Sequence, residues 1–166
     1  MTAEGYQKIE RLMRRRSRLL SVMKALNHFF PLLLYIAYPV LLIVLAVSWD
    51  SRFWKVLLIP ATVFLLVTVL RKVINARRPY EVLDISPLIF KEKSGESFPS
   101  RHVASAFILM EAFWYISLPL GIFTGIAAVL IALIRPLAGI HFPRDVIAGA
   151  LFSLVLGIPG FLFLPI

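Results

Sequence analysis

The chain has 166 residues, 60% of them hydrophobic, and a mean hydropathy of +0.86. That is one domain's length, and the composition belongs to membrane proteins rather than to soluble globular ones. Eighteen Lys and Arg against nine acids give a net charge of +9. The cations cluster beside apolar runs, so the expected counter-charge is anionic lipid headgroups and not nucleic acid. The absence of cysteine excludes disulfides, thiolate metal ligands and a cysteine nucleophile.

Residues 1–27 do not read as a span. Ile9, Leu12, Met13, Leu19, Leu20, Met23 and Leu26 recur near helical spacing, with Lys8, Arg11, Arg14, Arg15, Arg16 and Arg18 between them. The pattern predicts a basic amphipathic helix in the headgroup layer; the plainer alternative is a solvated charged tail. The apolar run that follows is too long for a signal-peptide core and lacks a small-x-small cleavage site, so the N-terminus is expected to be retained. The first span is predicted from about His28 to Ser48, and the second from about Phe53 to Leu70. Trp49 and Trp54 act as interface anchors at the turn between them. A polar stretch runs from Val73 to Arg101. The apolar run from Val103 to Ile134 is too long for one span, and Pro119 and Gly121 split it in two. A last span starts near Pro143.

Five spans put the end of span two, the start of span three and the junction of spans four and five on one membrane face, together with the N-terminus. That face holds seven Lys and Arg in the tail, seven in 71–101 and two in 135–144; the other holds only Arg52 and Lys55. The positive-inside rule places the tail and polar loops in the cytoplasm.

Three polar clusters meet on that face. In the first, Arg71 and Arg78 are seven apart and lie within about 20° of azimuth if one helix continues through both. Lys72 points about 100° away, and Pro79 stops the helix soon after. Alone, the pair could be two snorkelling interface arginines. The second cluster is Ser97-Phe98-Pro99-Ser100-Arg101-His102. Pro99 breaks the chain, Ser100 is a suitable N-cap, and span three begins at Arg101 or His102. A helix N-terminus there offers backbone N–H groups to an anion, and His102 can donate a proton near neutral pH. Alone, this is a capped helix with a surface histidine.

The third cluster is Arg135, His141 and Asp145. A helix starting at Pro143 puts Asp145 in its first turn, where it can turn back to the His141 imidazole and fix its tautomer. Alone, Asp145 is a carboxylate suited to the helix dipole. Together, three arginines, two histidines, a serine and two helix N-termini can hold a phosphate dianion. One histidine is placed to attack and the other to protonate the leaving oxygen. No carboxylate cluster suits magnesium or calcium, so phosphoryl transfer through a phosphohistidine without metal or other cofactor is the expected chemistry.

These clusters resemble the K-x6-R-P, P-S-G-H and S-R-x5-H-x3-D signature of the type 2 phosphatidic acid phosphatase family, over residues 71–145. The resemblance implies that His141 is the nucleophile, Asp145 its charge partner and His102 the general acid. It implies that Arg71, Arg78, Ser100, Arg135 and the backbone N–H of Arg101 bind the phosphate. Membrane members of the family dephosphorylate lipid phosphates and diphosphates; soluble relatives are vanadate haloperoxidases, which the spans here disfavour. Arg71 stands where the family has lysine, Arg101 where it has glycine, and Ile134 where it has serine. Family members commonly have six spans, and this chain is expected to lack the first. Arg101 is the local feature best placed to restrict which headgroups fit.

The expected fold is therefore all-α: an integral membrane helical bundle of about five transmembrane helices plus an N-terminal amphipathic interfacial helix. One membrane-embedded phosphatase domain covers residues 1–166, with the interfacial helix in 1–27, two spans in 28–70, the active-site loop in 71–101 and three spans in 102–166. The expected function is hydrolysis of a lipid phosphate, such as phosphatidic acid, phosphatidylglycerophosphate or a polyprenyl diphosphate. The expected location is the plasma membrane of a prokaryote, with N-terminus and active site cytoplasmic, where the first two substrates arise. The alternative is a non-catalytic phospholipid binder or transport component, which would need the cations but neither histidine. Glu111 lies about 14 Å along span three from His102 and about 180° round it, so it is expected to be a structural carboxyl or an oligomer contact rather than part of the pocket.

Overall fold

The computed structural model describes residues 2–89 and 94–165, and among these there is no strand. The helices are α1 (Ala3–Arg15), α2 (Ser17–Val47), α3 (Phe53–Ile74), the short α4 (Pro79–Val82), α5 (Arg101–Ile116), α6 (Leu118–Leu137) and α7 (Pro143–Phe163). Four of them, α2, α3, α6 and α7, are long and apolar enough to cross a membrane. The fifth expected span, α5, has 16 residues, about 24 Å of helix. It is the central helix, packed on α2, α3, α6 and α7. Small residues make that possible: Ala104, Ser105, Ala106 and Ala112 are all buried on it and let its neighbours approach closely.

Two apolar clusters run through the bundle. Leu41, Val56, Ile59, Val63, Ile108, Phe113 and Phe161 fill one, and Leu34, Val103, Ala106, Leu109, Ala128 and Ile131 fill the other. Large apolar side chains outside them, such as Ile36, Ile43, Leu65, Phe123, Ile126 and Val155, are exposed on the outer helix faces. In water such a surface would aggregate; in a bilayer it faces lipid. At one end Trp49 is 94% exposed beside the Asp50–Arg52 ion pair of 2.6 Å, an anchored turn at the interface.

The N-terminal segment differs from the expectation. The chain breaks at Arg16 and only α1 is a separate amphipathic helix; residues 17–27 are the first turns of α2. With 31 residues, α2 is about 46 Å long against a hydrocarbon core of about 30 Å. Its basic first turns, with Arg18 and Lys24, are thus continuous with the apolar run in one helix longer than the apolar layer is thick. Glu111 sits as expected, away from the polar end of the bundle. Its carboxyl is 7% exposed and lines an apolar cleft between α5 and α7 of about 380 Å³, with Met110, Trp114, Leu154 and Phe161.

Candidate active site

The end of α3, the start of α5 and the α6–α7 turn meet at one end of the bundle. What brings them together is local chemistry in each segment. Helix α3 stops at Ile74 because Asn75 takes the left-handed conformation (φ 44°, ψ 42°), its N–H bonded to the Arg71 carbonyl. The helix therefore does not continue from Arg71 to Arg78, as an in-line reading of their spacing supposed. Arg78 instead precedes α4, and Pro79 opens that helix rather than ending one.

The two guanidiniums still serve one place, because both donate to the same returning strand of chain. Arg78 Nε donates to the Gly95 carbonyl at 2.9 Å, and Arg71 Nη2 donates to the Glu96 carbonyl. Glu81 fixes that strand. Its carboxylate accepts from the backbone N–H of Arg78 at 2.6 Å, from the Ser94 hydroxyl at 2.6 Å and from the Gly95 N–H at 3.0 Å. The Asn75 side chain accepts from the Glu96 N–H at 3.2 Å, and the Ser97 N–H donates to the Ala76 carbonyl at 2.8 Å. Neither Glu81 nor Asn75 stood out in the sequence, although an Asn three residues past the Arg71-Lys72 pair that closes an apolar helix is a left-handed cap signal.

Helix α5 begins at Arg101 with Ser100 as its N-cap residue, but the Ser100 hydroxyl makes no capping bond. The helix start is held by backbone instead: Ser100 N–H donates to the Asp145 carbonyl at 2.8 Å. Gly149 permits this approach, since a Cβ there would lie 2.6 Å from the Ser100 carbonyl oxygen. His102 is half-buried in the first turn of α5. Arg101 turns its guanidinium over the Phe64 ring of α3, 5.6 Å from the centroid, a cation–π contact. Its charge also falls on Arg71.

Helix α7 begins at Pro143, and Asp145 in its first turn accepts from the Phe142 N–H at 3.0 Å. His141 and Asp145 are each 1% exposed. The separation from His141 Nδ1 to Asp145 Oδ2 is 3.6 Å, longer than the direct hydrogen bond expected. The Ser97 hydroxyl accounts for the gap. It donates to Asp145 Oδ2 at 2.5 Å and lies 3.3 Å from His141 Nδ1, fully buried. Ser97 opens the second polar cluster of the sequence, but spacing gave its hydroxyl no role; the contact with Asp145 makes it a member of the site.

Burial pushes the His141 pKa down to about 4; Asp145 opposes that shift, and the Arg78 and Arg135 guanidiniums add to it. The imidazole is therefore neutral through physiological pH. Around it stand buried donors that have no protein partner: Arg71 Nε, Arg78 Nη1, Arg135 Nε and Nη1, and the Ser100 hydroxyl. Buried polar groups are ordinarily paired, so this concentration of donors is an arrangement that can hold an anion. All the site residues expected from sequence lie at this end of the bundle, with Arg101 turned partly aside. Among the described residues, no group of three or more His, Asp or Glu side chains is arranged to hold a metal ion.

Comparison with known proteins bears on the family and the fold. No curated protein matches the chain. Two solved structures share its fold. LpxE of Aquifex aeolicus superposes with a TM-score of 0.65 at 28% identity, covering 85% of this chain and 93% of that one. A transmembrane PAP2-type phosphatidylglycerolphosphate phosphatase of Bacillus subtilis superposes with a TM-score of 0.66 at 24% identity, covering 95% and 83%. The model of the PAP2 superfamily matches residues 52–165, a segment that contains every motif described above. This integral membrane protein belongs to the PAP2 superfamily.

Proposed function

We propose that the protein is a membrane lipid phosphatase that hydrolyses a phosphomonoester or diphosphate of a lipid through a phosphohistidine at His141, without a metal ion. The observation that carries this is the set of unpartnered, buried guanidinium and hydroxyl donors beside a neutral, buried imidazole. Such donors match the equatorial oxygens of a phosphoryl group in transfer. Since Nδ1 of His141 faces Ser97 and Asp145, Nε2 is the attacking nitrogen. It forms the N–P bond as the ester P–O bond breaks, and His102 gives its proton to the leaving alkoxide. A water molecule, deprotonated by His102, then attacks phosphorus, releasing phosphate and free His141. Nδ1–H is held through the Ser97 hydroxyl, and Asp145 behind it offsets the positive charge that builds on the ring.

A lipid substrate is supported by an apolar groove of about 250 Å³ between α2, α3 and α5, lined among others by Tyr35, Phe64, Ser105 and Leu109. Ser105 lies one helical turn from Arg101, and Phe64 carries the Arg101 guanidinium, so the groove leads from the phosphate end toward the bilayer. In this reading residues 1–166 act as one phosphatase domain. The substrate is phosphatidic acid or phosphatidylglycerophosphate if the site is cytoplasmic.

The direct test is phosphate release from phosphatidic acid, phosphatidylglycerophosphate and a polyprenyl diphosphate in detergent, with EDTA and vanadate arms. Turnover that resists EDTA and is abolished by vanadate is expected. EDTA-sensitive turnover would overturn the metal-free reading, and binding without release on every substrate would favour a non-catalytic binder.

Ser97→Ala is expected to lower kcat about ten-fold, because a hydrogen bond to a buried carboxylate contributes about 1.5–3 kcal/mol. It should also move the acidic limb of kcat/KM. In the wild type that limb, the protonation of His141, lies near pH 4. Without the Ser97 hydroxyl, Asp145 acts on the imidazole alone and raises its pKa, so the limb moves toward 6.5. A pH–rate profile with an unmoved limb would rule out a shared hydrogen bond.

For sidedness, single cysteines at Glu4 and Ser51, both exposed, report on opposite ends of the bundle in a chain without cysteine. An impermeant thiol reagent applied to intact cells is expected to label Ser51→Cys and not Glu4→Cys. The reverse pattern would place the site on the outer face.

A further inference from the structure

Helix α1 precedes the segment that the family model matches, yet it reaches the backbone of His141. The Tyr6 hydroxyl donates to the His141 carbonyl at 3.1 Å, and its ring stands edge-on to Phe142 with centroids 6.4 Å apart. Tyr6 is 3% exposed. Gln7 Nε2 donates to the Asp84 carbonyl at 3.0 Å. Met13 packs against the apolar cluster of Met23, Leu88, Ile134, Ala138 and Ile140, the floor of the α6–α7 turn. Tyr6 and Met13, two turns apart, thus face the bundle and seat α1 on the segment that carries His141. The opposite face presents Lys8, Arg11, Leu12 and Arg15, all exposed. A row of cations around one exposed leucine, at the polar end of a membrane bundle, is complementary to a layer of anionic headgroups.

We propose that α1 is a strap between the bilayer surface and the active site: an anionic surface holds α1 in place, and α1 holds His141 through the Tyr6 hydroxyl on its carbonyl. Turnover then rises when the surrounding lipid is anionic. Tyr6 is a positioning residue, since it acts on the backbone of His141 and touches no substrate. Burial, with the Asp145 charge adding to it, pushes the Tyr6 pKa up to about 12, so the hydroxyl remains a donor across the working range. The inference rests on the phosphatase reading above and adds to it a dependence on surface charge.

The test compares wild type, Tyr6→Phe and the triple variant Lys8→Gln/Arg11→Gln/Arg15→Gln. Each is assayed in detergent micelles, in phosphatidylcholine vesicles and in vesicles with about one third phosphatidylglycerol, at equal surface fraction of substrate. Wild type is expected to turn over several-fold faster in the anionic vesicles. Tyr6→Phe keeps the ring and loses one hydrogen bond, so kcat should fall about five-fold at unchanged KM, with the anionic stimulation lost. The triple variant should keep its micellar kcat and lose the stimulation. Full stimulation in either variant, or an unchanged kcat in Tyr6→Phe, would overturn the strap. If wild type releases no phosphate from any lipid, the phosphatase reading fails, and amide hydrogen exchange of residues 138–146 decides the coupling by itself. Slower exchange in anionic vesicles that Tyr6→Phe abolishes supports it; exchange indifferent to lipid charge refutes it.

Discussion

His141→Ala is expected to lower lipid phosphate hydrolysis by about 10⁴-fold or more, since it removes the nitrogen proposed to attack phosphorus and the ring beside Asp145 and Ser97. Folding should survive. The imidazole is 1% exposed, so the substitution leaves a small cavity beside Ser97. The Ser97–Asp145 and Phe142–Asp145 hydrogen bonds remain to satisfy the carboxylate. The discriminating measurement is a rapid quench with phosphorus-labelled substrate. Wild type should carry an acid-labile, alkali-stable phosphate on the protein, and His102→Ala should carry less at the same time point, because its leaving group departs unprotonated. His141→Ala should carry none. Residual labelling or turnover within ten-fold of wild type in His141→Ala would end the phosphohistidine mechanism, whatever the substrate.

Arg135→Met is expected to separate activity from stability. Arg135 is 2% exposed, with Nε and Nη1 lacking protein partners, and Arg78 adds like charge nearby. A buried guanidinium so placed costs folding free energy that only an anion offsets. Loss of one preorganised donor to the transition-state charge should lower kcat/KM about 10²- to 10³-fold. Replacing the side chain by an apolar one of similar length should leave the thermal midpoint without anion unchanged or raised. Vanadate should raise the wild-type midpoint by mass action on the folded state and leave that of Arg135→Met nearly still. A variant that melts early yet is stabilised by vanadate as wild type is would show Arg135 to be a structural cation outside the cradle.

Hydropathy and motif spacing made the architecture and most of the site legible, for physical reasons that also mark where they stop. Long apolar runs must cross the bilayer as helices, so α2, α3, α6 and α7 could be read directly. Motif chemistry brought Arg78, Ser100, Arg135, His141 and Asp145 to one end without knowledge of the loop. What spacing could not reveal was the path of the backbone. A left-handed residue at Asn75 ends the helix that azimuth arithmetic assumed, and the guanidiniums converge only because the 94–97 segment returns to meet them. Nor can periodicity distinguish a hydroxyl that reaches across the fold. Ser97 bridges 48 residues to Asp145 and Tyr6 bridges 135 to His141. In the N-terminal segment the pattern of apolar residues was correct, but a helix break at Arg16 assigned half of it to α2.

The Glu81 clamp has a consequence for how such a chain can diversify. By binding the Arg78 N–H on one side and Ser94 and Gly95 on the other, it ties the start of α4 to the segment that returns at 94–95. The guanidinium contacts to Gly95 and Glu96 lie beyond that tie. The described residues after α4 rest on the turn that carries His141: Leu88 N–H donates to the Ala138 carbonyl at 3.0 Å, and Leu88 and Ile89 pack with Ile134, Ala138 and Ile140. A change of length or composition in residues 83–89 therefore bears on the α6–α7 turn as well. Glu81 is the residue whose loss would release the Arg78 and Gly95 backbones together, and with them the segment that both guanidiniums hold.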